Sequence, residues 1–139
     1  MQAYLSFDGR CAEALEFYAS CLGGRILNRM TWGESPDGDK MPPESKDKIM
    51  HATLEARGHQ LMGSDMPPGY PFTGYGGFSI SVQAKTVDEG RQLFDALAAG
   101  GKVTMPYAPT FWAAGFGMLE DRFGVGWMVN VDQPPATGG

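Results

Sequence analysis

The chain repeats itself, and that limits its folds more than any other feature. Cys11-Ala-Glu-Ala-Leu-Glu-Phe-Tyr18 is matched 76 residues later by Val87-Asp-Glu-Gly-Arg-Gln-Leu-Phe94, with Glu13 opposite Glu89 and Tyr18 opposite Phe94. In both copies apolar residues recur at i, i+3, i+4 and i+7: Ala14, Phe17, Tyr18 and Cys21, then Gly90, Leu93, Phe94 and Leu97. That spacing is one face of a helix lying on a sheet. Each helix runs into a glycine pair, Gly23-Gly24 and Gly100-Gly101, and then into Arg25-Ile26 and Lys102-Val103. Glycine takes the left-handed conformation that ends helices, so the pairs mark two equivalent stops. A hairpin repeats as well: Ala52-Thr-Leu-Glu55 resembles Gly117-Met-Leu-Glu120, and Gly58-His-Gln-Leu-Met62 resembles Gly124-Val-Gly-Trp-Met128.

These matches predict strands near 2–7, 25–32, 48–56 and 59–64, and again near 77–83, 102–107, 115–120 and 125–131. The fold class is α+β: two tandem β-α-β-β-β modules, about 1–65 and 76–132, in one domain (1–132). One such module cannot cover both faces of its own sheet, which is a physical reason for two. Thr86-Val-Asp-Glu89 has the form of a capping box for the second helix, whereas the first has only Asp8 to offer. The segments 33–44 and 65–76 are too rich in Pro and Gly for regular structure and are candidate covers for a site, and 133–139 is expected to be a disordered tail.

A 42% hydrophobic and 19% charged composition over 139 residues is that of a folded globular chain. The net charge of −5 comes without a Lys/Arg cluster, so nucleic acid is not an expected partner. There is neither a run of about 18 apolar residues nor a basic leader before an apolar core, which predicts no membrane partner and a cytoplasmic protein. Cys11 and Cys21 fall in one helix, about 15 Å apart along its axis, too far to bridge each other.

With the duplication established, the residues resemble a family. Asp47-Lys-Ile-Met-His-Ala52, Leu61-Met-Gly-Ser-Asp65, Thr110-Phe-Trp-Ala-Ala-Gly-Phe-Gly117 and Asp121-Arg-Phe-Gly-Val-Gly-Trp-Met-Val-Asn130 are similar to the PhnB-like branch of the vicinal oxygen chelate superfamily. That superfamily includes glyoxalase I, extradiol dioxygenases, fosfomycin-modifying enzymes and bleomycin-binding proteins. The resemblance spans about residues 2–132 and implies a curved mixed sheet around a small-molecule cleft, and homodimers. In its metal enzymes each module supplies one ligand from its first strand and one from its last. Counting back equally from the two helices places these at Ala3 and Ser79, and the matched hairpins place the others at Met62 and Met128. An alanine, a serine and two thioethers make a poor set for a hard or borderline divalent ion, so neither metal nor cofactor is expected.

Strand alternation puts Gln60 and Ser64 beside Met62, and Asn130 beside Met128, towards the cleft. Methionines adapt to irregular apolar ligands, although the same two could simply plug the cleft as core. The expected ligand-binding set is His51, Gln60, Met62, Ser64, Ser79, Trp112, Met128 and Asn130. His51, Thr53 and Glu55 form the polar side of one strand, where His51 is either a hydrogen-bonded structural residue or a pocket group. The main expectation is metal-independent binding of a small molecule. The alternative is an enzyme in which His51 or Glu55 acts as acid or base, or, further off, one using a divalent metal.

Overall fold

A computed structural model describes residues 2–36, 38–67 and 70–133. The last six residues of the expected tail, 134–139, lie outside this set. The chain forms two compact units, Met1–Thr73 and Gly74–Gly139. The first holds β1 (Ala3–Phe7), α1 (Cys11–Leu22), β2 (Arg25–Thr31), β3 (Ile49–Ala56) and β4 (His59–Asp65). The second holds β5 (Ile80–Ala84), α2 (Val87–Ala98), β6 (Lys102–Ala108), β7 (Ala113–Glu120) and β8 (Gly126–Asp132). The strands bond as two separate four-stranded sheets, β1-β4-β3-β2 and β5-β8-β7-β6, and not as one continuous sheet.

In each module the first strand pairs in parallel with the last, and the other pairings are antiparallel. A parallel neighbour needs a crossover, which the helix supplies while it covers one face of the sheet. The covered faces form the two cores. In the first module Leu5, Phe7, Ala52 and Leu54 are buried with Ala14, Leu15 and Tyr18 of α1, and in the second Val82, Val129 and Val131 are buried with Leu93, Phe94 and Leu97 of α2. The opposite face of each sheet carries the alternate residues.

The first glycine pair ends its helix as expected, whereas α2 is closed by Ala99 in an extended conformation and Gly100 (φ 79°) follows one residue later; both pairs add a second role. Gly23 closes α1 at φ 71°, in the left-handed region. Its follower Gly24, and the equivalent Gly101, lie so close to the neighbouring strand that an added Cβ would stand 2.3 Å from the Glu55 carbonyl oxygen and 2.2 Å from that of Glu120. No side chain fits at either position.

The helix starts differ from expectation. Asp8 does not cap α1: Arg10 occupies the N-cap position without a capping side-chain bond, its guanidinium pairing with Glu13, and the Cys11 N–H donates to Asp65 Oδ1 at 2.9 Å. The other oxygen of this buried carboxylate accepts the Ile49 N–H at 2.8 Å, so Asp65 ties the end of β4 to the starts of α1 and β3. In α2 the Glu89 N–H donates to Thr86 Oγ1 as expected, but Glu89 Oε2 accepts from the Lys85 N–H and not from the N-cap residue.

The β3-β4 hairpin turns through Arg57 (φ 55°) and Gly58 (φ 81°). The β7-β8 turn is built instead on a buried carboxylate. Asp121 Oδ1 accepts the N–H groups of Phe123 and Val125 at 2.8 and 3.0 Å, and Oδ2 accepts the Trp127 indole N–H at 2.8 Å. Among the connecting segments, 33–44 was expected to be irregular but contains short 3-10 turns, with others at its borders (Trp32–Glu34, Gly38–Lys40 and Pro43–Ser45). The first is fixed by reciprocal bonds between Thr31 and Glu34. The described part of 66–79 has no regular structure.

Candidate functional site

The sheet face away from each helix carries most of the residues expected to line a site, and strand register sets its rows. In the second module Met105 stands opposite Met118, Met118 opposite Met128, and Met128 opposite Ser81, so three methionines lie side by side on adjacent strands. All three are half-buried. The next row is Ala108, Phe116, Asn130 and Gln83. Asn130 Nδ2 donates to Gln83 Oε1 at 2.9 Å and to Asp132 Oδ1 at 3.0 Å, giving the apolar patch a polar border.

Trp112 packs edge-on against Phe116 with ring centroids 5.4 Å apart, and Phe111 packs on Trp112 at 4.9 Å. The loop carrying this pair is held by Thr110, whose Oγ1 accepts the N–H groups of Trp112 and Ala113, and by Gln133, whose amide donates to the carbonyls of Thr110 and Phe111. Phe111 is nonetheless 91% exposed. Ser79 precedes β5 and comes near Gly126, where an added Cβ would meet its Oγ at 3.1 Å. Thus Met128, Asn130 and Trp112 share one apolar surface. Met105, Met118 and Phe116 belong to it too and were missed, because their alternation signals a strand without saying which strand lies next to it.

In the first module the corresponding row is Asn28, Thr53, Met62 and Tyr4. The adjoining row opens with Met30 opposite His51, and Ser64 lies opposite Ser6. Here the surface is polar and internally bonded. The Tyr4 hydroxyl is 3.2 Å from His51 Nδ1, and Thr53 Oγ1 is 3.3 Å from His51 Nε2, so both ring nitrogens are engaged. Gln60 accepts from Gln2 at 3.0 Å, and Glu55 is tied to Arg25 at 3.3 Å. His51, Gln60, Met62 and Ser64 therefore share this face, with Tyr4 as the member that counting had passed over.

The miscount has a definite cause. Three residues separate β1 from α1, but only two separate β5 from α2. Counting back equally from the two helices therefore slips by one residue, and a slip of one reverses the face of a strand. Ala3 lies on the side of Leu5 and Phe7, towards the helix. The residues opposite Met62 and Met128 are Tyr4 and Ser81.

Neither set fits a divalent ion. Two thioethers with a phenol and a serine hydroxyl offer neither imidazole nor carboxylate, and among the described residues no group of three or more His, Cys, Asp or Glu is placed to hold a metal. Cys11 is also unsuited to thiolate chemistry. It is buried, and desolvation together with the nearby Asp65 carboxylate pushes its thiol up to about 12.

Two modules of this topology define a class of protein. The chain belongs to the glyoxalase/bleomycin resistance protein/dioxygenase superfamily, whose family model matches residues 2–129. Among individual proteins, it is 39% identical to protein YjdN of Escherichia coli K12, over 99% of this chain and 98% of that protein. It is 48% identical to protein PA1353 of Pseudomonas aeruginosa, whose crystal structure superposes with a TM-score of 0.87 over 96% of this chain and 98% of that one. A PhnB protein from Bacillus cereus matches at 26% identity and a TM-score of 0.79, over 94% and 98% of the two chains. PhnB-like proteins are thus among its structural neighbours. No helix among the described residues is long and apolar enough to cross a membrane.

Proposed function

We propose that this protein binds a small, partly apolar organic molecule on the open face of its second module, without a metal. The observation that carries the reading is the row Met105, Met118, Met128. Buried methionines are ordinary core, but three in register on the face that the helix does not cover make a deformable apolar bed. Trp112 and Phe116 flank it with aromatic surface, while Ser81, Gln83 and Asn130 offer hydrogen bonds along one side. Ser79 lies beside the same strand. The reading includes a cytoplasmic homodimer with neither nucleic acid nor membrane as partner. Support for the dimer is the family likeness, together with β2 and β6 as outer strands of their own sheets, since exposed strand edges are normally covered.

The test copies one module into the other. Replacing Met105 by Asn and Met118 by Thr reproduces the residues that the first module has in the same row. A thermal-shift screen of apolar and amphipathic metabolites is run on both proteins. Ligands that raise the melting temperature of the parent should lose at least about tenfold in affinity for the double variant, two methionine contacts being worth more than 1.4 kcal/mol. A parent that responds to nothing in the screen has a methionine row that is filler, and the proposal fails.

A second reading, an enzyme in which His51 or Glu55 moves a proton, is supported by the bonds that orient the His51 ring. Glu55 is bound to Arg25 and lies four residues along β3, about 13 Å from His51, so the two do not serve one reacting atom. Turnover that survives His51→Ala, measured on a substrate found through the ligand screen, removes this role.

A further inference from the structure

The first module carries a polar cluster that the binding reading above does not use, joined by two hydrogen bonds to one imidazole. Both nitrogens of His51 have hydroxyl neighbours, Tyr4 at Nδ1 and Thr53 at Nε2. A neutral imidazole has one N–H and one lone pair. A phenol is a far better proton donor than an aliphatic alcohol, so the lone pair goes to Tyr4 and the ring proton sits on Nε2, donating to Thr53 Oγ1. In that state the Tyr4 hydroxyl proton points inward.

Protonation of His51 reverses the bond. Both ring nitrogens then donate, the Tyr4 oxygen becomes the acceptor of Nδ1–H, and the phenolic proton must find another acceptor. Tyr4 is 49% exposed, whereas Thr53 is only 6% exposed, so the new acceptor comes from outside the module's own core. The pair then presents a phenol donor backed by a cation, which is complementary to an oxyanion. Met62, directly opposite Tyr4, and Met30, directly opposite His51, put apolar surface against the same spot.

We infer that the open face of the first module is a proton-gated site for a small carboxylate with an apolar body, in which Tyr4 donates to the carboxylate once His51 is protonated. Among the described residues of these four strands, the other charged groups on this face are Glu55 of β3 and Arg25 of β2, which pair with each other. On the open face β4 contributes Gln60, Met62 and Ser64 and β1 contributes Ser6 beside Tyr4, none of them charged. His51 is therefore the imidazole among the described residues of this face, and imidazole is the side-chain type that changes charge near neutral pH. The proposal uses residues of the first module alone and does not rest on the methionine row.

Benzoate, with benzamide as its neutral counterpart, tests this on the full chain by NMR titration between pH 5.5 and 8.5. Benzoate affinity should rise about tenfold as His51 takes up its proton, one proton being coupled to one ligand. Chemical-shift changes should centre on residues 4, 30, 51 and 62, and benzamide should bind weakly and without pH dependence. Tyr4→Phe, checked for folding by circular dichroism, should flatten the benzoate profile, and His51→Gln should do the same. Nitrogen-15 shifts of the ring should show neutral His51 protonated at Nε2. No benzoate binding at pH 5.5, an affinity independent of pH, a pH dependence that survives in both variants, a neutral ring protonated at Nδ1, or shifts centred on residues 105, 118 and 128 would each overturn the inference. The last result would leave the methionine-row reading intact.

Discussion

The first module begins its helix with a carboxylate drawn from the end of its own last strand, Asp65, while the second uses its neighbour Thr86. The hairpins reverse this. The first turns on two residues of positive φ, and the second organises a longer turn around the buried Asp121. Each module thus has one buried carboxylate at a place where the other manages with local geometry. The open faces diverge in the same way, with a bonded Tyr-His-Thr group in one and three aligned methionines in the other. Repeated units can keep their sheet order, helix seat and close-packed glycines while exchanging the means by which chain ends are satisfied, because a backbone N–H requires only some acceptor.

The comparison breaks most clearly at Asp121. Asp121→Ala removes the acceptor for two backbone N–H groups and a buried indole, and should cost about 3 kcal/mol in urea unfolding. A loss below about 1 kcal/mol would mean that the turn holds itself. Asp65→Ala should cost about 2 kcal/mol and Thr86→Ala about 1 kcal/mol, and equal losses would erase the distinction between a distant cap and a local one.

The smallest expected effect concerns Cys11. Its thiol is raised to about 12 from an ordinary value of 9.0, so above pH 9 the unfolded chain loses a proton that the folded chain keeps. Stability is then lost as pH rises, and at pH 10 the parent should have lost about 1 kcal/mol more than Cys11→Ala has, relative to pH 8. Identical pH profiles would place the thiol in contact with solvent. Labelling with a thiol reagent should likewise modify half-buried Cys21 before Cys11.

Both helices, all eight strands and the pairing of Met62 with Met128 could be read from the sequence, because periodicity and turn glycines are local signals that the repeat gives twice. The equivalence of Ala3 with Ser79 could not be read correctly. It required knowing that the turn before α1 holds one residue more than the turn before α2, and strand geometry converts that single residue into the wrong face. The capping role of Asp65 was hidden for another reason: its partner Cys11 is 54 residues away. The roles of Tyr4, Met105 and Met118 depend on which strand lies beside which, and parallel closure of β1 on β4 leaves no mark in the spacing of either strand.

That parallel closure also sets a timetable for synthesis. β1 has no hydrogen-bonded strand neighbour in its sheet until β4 exists, and the start of α1 has no side-chain acceptor until residue 65 has been made. On the ribosome the early segment must therefore wait, with its helix marginal and its strand unpaired. Once residue 65 has left the exit tunnel, every partner the first sheet needs is present. The first module can then assemble while the second is still being made or has yet to emerge, so its strands can pair with one another before the similar strands of the second are available, which reduces the chance of exchanging strands.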